Sequence, residues 1–113
     1  MLFHYTIRGF YVYSPPTDMR KGIYALCGLI QNELQRSPLS GELFIFVNRS
    51  KCMIKMLHWQ TDGYGVFYKR LEQGTFEVPE SGVLSCEQVL FLLQGVELKT
   101  VRRRKRFASE IEQ

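Results

Sequence analysis

The amino-acid sequence predicts an α+β domain in which a small antiparallel sheet of three to five strands packs against one long amphipathic helix and one shorter apolar helix. Three strand-like runs joined by short turns, "ELFIFV", "CMIKMLHW" and "YGVFYKRL", predict the sheet. Apolar residues at helical spacing after "TDMRKG", and again within "SCEQVLFLLQG", predict the helices. At 113 residues, of which 45% are hydrophobic, the chain is long enough to bury a core without disulfides.

The N-terminal part of the chain changes from strand-like to helical spacing. "FHYTIRGFYVY" is rich in aromatic and β-branched residues, which favours a strand, and "SPPT" stops it. From Asp18 to Leu34 the apolar residues follow three-and-four spacing, which predicts an amphipathic helix of about five turns. Thr17 or Asp18 is expected to cap this helix, and "SPLSG" lies beyond its end.

Two cations, Arg20 and Lys21, stand where the first turn of this helix is expected. Cations are unfavourable there, because the first turn has unpaired amide donors and the positive end of the helix dipole. One interpretation is that the turn binds a phosphate or an acidic group on a partner. The other is that each cation pairs with a carboxylate brought close by folding, for which the candidates are Glu33, Glu42 and Glu72.

The three central strands are predicted to present two apolar faces. With tight turns at "NRSK" and "QTDG", one face carries Leu43, Ile45, Val47, Ile54, Met56 and Phe67. The opposite face carries Phe44, Phe46, Met53, Lys55, Leu57, Trp59, Tyr64, Val66 and Tyr68. An antiparallel sheet with one wet face alternates, so this sheet is expected to be covered on both faces or to share one with another subunit.

The last third of the chain predicts a short strand, a second helix and a basic tail. "GTFEVP" is strand-like, and Ser85 with Gln88 forms a capping-box pattern at the start of the helix that Gly95 ends. That helix is apolar almost all round, which predicts burial. We expect a single α+β domain over residues 1–98 and a basic C-terminal tail over residues 99–113.

The net charge of +4 is a property of the tail. Residues 99–106, "KTVRRRKR", hold six of the fifteen basic residues and no acidic one, which leaves nine basic against eleven acidic residues elsewhere. Such a run suits phosphate contacts, because each cation that neutralises a phosphate releases a counterion. It equally suits a solvated terminal segment, since like charges in a block resist folding.

The sequence offers no set of residues for catalysis or metal binding, so we expect a protein that is not an enzyme and has no cofactor or metal. His4 and His58 are expected to be structural, and Asp18 and Asp62 are better explained as a cap and a turn residue. The three cysteines are widely spaced, without a C-x-x-C motif, and are expected to be reduced and buried. No signal peptide or membrane span is evident, which predicts a cytoplasmic protein that does not contact membranes.

Cations interleaved with aromatic residues are the remaining functional signal. Trp59, Tyr64 and Tyr68 share a predicted face with Lys55, an arrangement that suits nucleic acid but equally suits a core with lysines reaching past it. The candidate nucleic-acid-binding residues are Arg20, Lys21, Arg49, Lys51, Lys55, Lys69, Arg70, Arg102, Arg103, Arg104, Lys105 and Arg106.

Several stretches, in this order, resemble one known family: "YSPPTDMRKGI", "SGELFIFVNR", "IKMLHW" and "DGYGVFYKRLEQGTFEVP". They are similar to the small accessory proteins, often called TnpB, of the bacterial insertion sequence 66 family, which are products of the element's second open reading frame. The resemblance covers roughly residues 9–95. It implies a role in transposition beside a separate, larger transposase that carries the catalytic residues, and it supplies no catalytic residues for this chain.

Together these observations predict a non-catalytic accessory protein of a mobile element that binds DNA through a basic surface. The alternative is a protein-interaction module that docks on the transposase through an apolar sheet face, with its cations meeting an acidic protein surface. A nuclease is a third, less favoured interpretation. The expected partners are therefore DNA and the element-encoded transposase, and a second copy of the chain could pair through the apolar sheet face.

Overall fold

The computed structural model describes residues 6–95, which contain five strands and two helices. The elements in chain order are β1 Phe10–Tyr13, α1 Ile23–Asn32, β2 Leu43–Val47, β3 Met53–Trp59, β4 Tyr64–Arg70, β5 Gly82–Leu84 and α2 Cys86–Gln94. The α+β class and the number of strands agree with the prediction. The basic run at residues 99–106 lies outside the described residues. No helix within residues 6–95 is long and apolar enough to cross a membrane.

The sheet is mixed rather than antiparallel, with the strand order β4-β3-β2-β1-β5. β1 runs parallel to β2, with Phe10 beside Leu43, while the other neighbours are antiparallel. The parallel pair arises because α1 connects β1 to β2 and carries the chain back to the end of the sheet where β1 started. The prediction of a strand in "GTFEVP" is wrong, because residues 82–84 form the edge strand instead.

The register of the three central strands confirms the two predicted faces. Ile45 pairs with Met56 and Met56 with Phe67, so these three side chains line one face. Phe76 and α2 cover that face, and α1 covers the other, where Phe44 and Leu57 are buried. β2, between two covered faces, is buried along its whole length. The chain itself therefore covers both faces of the sheet at β2 and β3, while the edge strand β4 is only partly covered.

α1 is shorter than the five turns that the apolar spacing predicts. It begins at Ile23 with Gly22 as its N-cap and ends at Asn32, because Gln35 takes a left-handed φ of 55° beyond it. Met19 and Leu34 nevertheless pack against the same core cluster as the helix does. Their contacts with the core extend the apolar spacing past both helix ends, which explains the overestimate.

α2 has the predicted capping box, with the Ser85 hydroxyl accepting from the Gln88 amide, and ends at Gly95 with a φ of 80°. The expectation that α2 is buried holds for one side of the helix and is wrong for the other. Val89 and Leu92 are buried, but Leu90 and Phe91 are 59% and 75% exposed. Only one side of the helix meets the core, where Val89 and Leu92 pack against the sheet, and Leu90 and Phe91 lie on the other side.

Ser85→Ala is expected to lower the free energy of unfolding by about 1 kcal/mol, because the Gln88 amide loses its acceptor. Urea unfolding followed by circular dichroism measures the change. Thr75→Ala is the control, at an exposed threonine between β4 and β5 whose side chain has no hydrogen bond within residues 6–95, and it should change stability by less than about 0.5 kcal/mol. Equal losses in the two variants would show that the capping box does not stabilise α2.

Candidate nucleic-acid interface

Two basic turns meet at one end of the sheet. β1 and β2 are parallel, so the segment that leaves β1 and the turn that follows β2 start at the same end. The Thr17 amide donates to the Val47 carbonyl at 2.8 Å, which holds the first segment beside the last residue of β2. Residues 18–21 and the hairpin turn at residues 48–52 are thereby neighbours, although they are far apart in the sequence.

Asn48 shapes the hairpin turn between β2 and β3. Its Oδ1 accepts from the amides of Cys52 and Met53, at 3.0 Å each, and its Nδ2 donates to the Ser50 hydroxyl at 3.3 Å. Lys51 takes a left-handed φ of 60° at this turn. These bonds fix the backbone that carries Arg49, whose side chain is exposed.

Residues 18–21 form a turn before the helix, not its first turn. The Lys21 amide donates to the Asp18 carbonyl at 3.1 Å, and the Asp18 carboxylate accepts from Arg20 Nε at 3.0 Å and Nη2 at 2.7 Å. Asp18 is therefore the partner of Arg20 and not a helix cap, and none of Glu33, Glu42 and Glu72 takes that place. The hydrogen bonds from Arg20 hold the pKa of Asp18 well below its usual range, because they stabilise the ionised form of the carboxyl group.

Lys55 is buried beneath the 18–21 turn, with 6% of the residue exposed. Its ammonium donates to the carbonyl of Met19 at 3.0 Å and to that of Lys21, and it lies 5.0 Å from the centre of the Tyr68 ring. A burial of this kind is tolerated because the charge has acceptors. Lys55 thus anchors the turn to the sheet and is not free to contact a phosphate.

Lys21 and Arg49 line one open cleft of about 770 Å³ between the two turns, together with Pro16, Thr17, Asp18, Met19, Asn48, Ser50 and Met53. Within residues 6–95, no hydrogen bond or ion pair engages the Lys21 ammonium or the Arg49 guanidinium. Asp18 is the one carboxylate of the cleft, and Arg20 already neutralises it. The cleft therefore has an excess of positive charge.

The other predicted cations fall into three groups. Arg70 ends β4 beside Met53, at the same end of the sheet, and its Nη1 lies 3.9 Å from Cys52 Sγ. Lys51 is exposed on the hairpin turn. Lys69 points to the opposite face, where its ammonium donates to the Leu93 carbonyl at 2.7 Å and so caps the last turn of α2. Arg102, Arg103, Arg104, Lys105 and Arg106 lie outside the described residues.

The aromatic residues do not form one surface with the cations. Trp59 and Tyr64 pair at the far end of the sheet, with ring centres 4.9 Å apart, about 13 Å along β3 from Lys55. Burial raises the pKa of Tyr64 to about 12, which fits a tyrosine packed against the core. Tyr68 alone of the three reaches the basic end, where 57% of it is exposed.

The groups considered for catalysis have structural surroundings. His58 is 2% exposed, and its Nε2 lies 3.2 Å from the Thr6 carbonyl and 3.1 Å from the Gly41 carbonyl. Of the three free cysteines only Cys27 is buried, so the expected burial of Cys52 and Cys86 is wrong. Over residues 6–95, no group of three or more potential ligands could hold a metal ion.

Sequence reasoning missed the roles of Asn48, Asp18 and Lys55. Asn48 had a usable signal, because an asparagine that opens a five-residue connection between strands often bonds to the backbone of the turn. For Asp18 the signal was weaker, namely a carboxylate two residues before an arginine. The function of Lys55 had no local signal, since its acceptors lie 34 and 36 positions away in the chain.

Comparisons with known proteins give one family. A family model described as "IS66 Orf2 like protein" matches residues 8–103. An uncharacterised protein of Sinorhizobium fredii (strain NBRC 101917 / NGR234), y4hO, is 36% identical over 85 residues, which cover 72% of this chain and 74% of the relative. A second from the same organism, y4jC, is 29% identical over 97 residues, covering 82% and 83%. No solved structure matches the chain significantly.

Proposed function

Because the chain belongs to the IS66 Orf2-like family, which is a family of transposition-associated accessory proteins and not a known catalytic one, we propose that it assists transposition by binding DNA. The proposed contact surface is the basic end of the sheet. It comprises Lys21, Arg49, Lys51 and Arg70, with the basic tail as a further contact. The match also agrees with the resemblance that the sequence motifs indicate.

One observation supports this proposal above the others: Lys21 and Arg49, from two distant segments, line the same cleft without a carboxylate of their own. Unpaired cations that converge are what phosphate binding needs, because their charge is available to displace counterions from DNA. A surface built only for solubility would more often intersperse both signs of charge.

Salt titration of DNA binding tests the proposal. Full-length protein and a labelled 20-base-pair duplex are mixed at 50 to 300 mM NaCl, and binding is followed by fluorescence anisotropy. The logarithm of affinity is expected to fall linearly with the logarithm of salt concentration, by about 0.9 for each phosphate contacted. No binding at 50 mM NaCl would refute the proposal.

Asp18→Asn is expected to raise affinity for duplex DNA by about threefold to tenfold at 100 mM NaCl. The substitution removes the one carboxylate that lines the cleft and leaves Arg20, next to the cleft residues Met19 and Lys21 in the chain, without its partner, so the salt slope should steepen by about 0.9. The same titration measures both values. Asp62→Asn, in the turn at the opposite end of the sheet, is the control and should leave affinity within twofold. If the affinity and the salt slope of the Asp18→Asn variant are unchanged, the DNA contacts another part of the protein.

A second candidate function is docking on the element-encoded transposase. Since the chain itself covers both faces of the sheet at β2 and β3, the surface for docking is α2, where Leu90 and Phe91 are exposed. Immobilised transposase should retain the full-length protein at 300 mM NaCl and lose the Phe91→Lys variant. Retention that is equal for both would exclude this surface.

A further inference from the structure

The polar side chains of the cleft differ in whether they have partners within the protein. Reading a DNA sequence requires donors and acceptors that are free to meet base edges, and asparagine, glutamine and carboxylate side chains are the usual ones besides arginine. Positioning on the sugar–phosphate backbone requires only cations, hydroxyls and amides. The hydrogen bonds of the cleft residues therefore indicate what the cleft can recognise.

Asn48, the side chain of the cleft best suited to adenine, is fully used within the hairpin turn. Its oxygen accepts from two amides, those of Cys52 and Met53, so both lone pairs are engaged. Its nitrogen donates to the Ser50 hydroxyl and lies 3.6 Å from Cys52 Sγ. To read a base, this amide would have to abandon the bonds that shape the turn.

The other potential readers are also engaged. Both Asp18 oxygens accept from Arg20, which leaves the carboxylate unsuited to accept from a cytosine amino group. Thr17 is 4% exposed, and its hydroxyl lies 3.5 Å from the Pro15 carbonyl. The Ser50 hydroxyl lies 3.2 Å from Cys52 Sγ. What the cleft presents to a ligand is the ammonium of Lys21 and the guanidinium of Arg49.

We infer that the cleft binds the phosphodiester backbone and does not read base edges, so that its contribution to DNA binding is independent of sequence. The inference rests on the proposed function and concerns the same site. The backbones of the two turns are also held in place, by Lys55 on one side and Asn48 on the other, so the points from which the two cations extend are fixed relative to each other. The side chains themselves are free to adjust to phosphates, which every duplex presents.

Substitutions at Arg49 distinguish backbone binding from base reading, because arginine can contact either a phosphate or the O6 and N7 atoms of guanine. Lysine keeps the charge but not the planar pair of donors. For a phosphate contact, Arg49→Lys should retain affinity within about twofold, whereas Arg49→Gln should lower it about fivefold to tenfold at 100 mM NaCl. For a guanine contact, both variants would lose affinity, and only on duplexes that carry the guanine.

The experiment measures the full-length protein and the variants Lys21→Gln, Arg49→Lys and Arg49→Gln on four 20-base-pair duplexes of unrelated sequence and equal length. Each Gln variant is expected to weaken binding to all four duplexes by the same factor, within about twofold. Arg8→Gln, an exposed arginine at the opposite end of the sheet, is the control and should not weaken binding. Circular dichroism checks that each variant is folded.

The outcomes separate this inference from the proposed function. Uniform losses across the four duplexes support backbone binding by the cleft, even if another part of the chain gives the protein a sequence preference. A loss that differs more than tenfold between duplexes overturns the inference while leaving DNA binding intact. If the unmodified protein binds none of the duplexes at 50 mM NaCl, the proposed function and the inference both fail.

Discussion

Replacing Lys55 with methionine is expected to lower the free energy of unfolding by about 2 to 3 kcal/mol. Methionine keeps most of the buried apolar stem, but the carbonyls of Met19 and Lys21 lose a charged donor. Hydrogen bonds to charged groups contribute about 1.5 to 3 kcal/mol, and unpaired carbonyls at a partly buried site add to the cost. Urea unfolding, with the slope checked for two-state behaviour, measures the change.

The matched control is Lys51→Met, at an exposed lysine on the adjacent hairpin turn. Its side chain has no hydrogen bond among the described residues, so stability should change by less than about 0.5 kcal/mol. Amide exchange supplies a second measurement: in Lys55→Met the Lys21 amide, which closes the 18–21 turn, should exchange faster than in the unmodified protein. Equal stability of the two variants would show that Lys55 does not anchor the turn.

The Lys55 result also bears on the cleft, because the lysine lies between the sheet and the turn that carries Lys21. When the turn is released, Lys21 is no longer held opposite Arg49, and the proposed DNA binding is expected to weaken although Lys55 itself is not expected to contact a phosphate. Lys55→Met should therefore lower affinity less than the loss of Lys21 itself. A buried cation with a structural function would thus position a partly exposed cation with a proposed binding function.

The central strands could be predicted from the sequence because their register depends on local signals. Alternation of apolar residues and two short turns fix which of Ile45, Met56 and Phe67 share a face, and the structure has them as predicted. The parallel pairing of β1 with β2 could not be predicted, since it depends on where α1 returns the chain. The length of α1 was overestimated because packing of Met19 and Leu34 imitates helical spacing outside the helix.

The sequence predicts which residues of the candidate site are cationic, but not which of them lie close together. The cationic character of Lys21 and Arg49 is visible in the sequence, but their proximity follows from the parallel pair, which brings the two turns to the same end of the sheet. The hydrogen-bond partners that keep Lys55 and Lys69 from contacting a ligand could not be predicted from the sequence either. Lys69 is engaged by a carbonyl of α2, and Lys55 by carbonyls of the 18–21 turn. Such hydrogen bonds cannot be predicted from residue types, because every residue carries a backbone carbonyl.

The double variant Lys21→Gln with Arg49→Gln is expected to bind duplex DNA about 30- to 100-fold more weakly than the unmodified protein at 100 mM NaCl. Each removed phosphate contact lowers the salt slope by about 0.9, so the slope should fall by about 1.8. Neither side chain has a hydrogen bond or ion pair within the described part of the chain, so the free energy of unfolding should change little.

Arg8→Gln combined with Arg36→Gln would remove the same formal charge but would also break the ion pair between Arg36 and Glu42, so it is not a suitable control. Arg8→Gln with Lys51→Gln is better, because both side chains are exposed and only one lies at the basic end. It should lower the slope by at most about 0.9. If both double variants lose the same affinity and slope, net charge determines binding, and the cleft between the two turns has no special part in it.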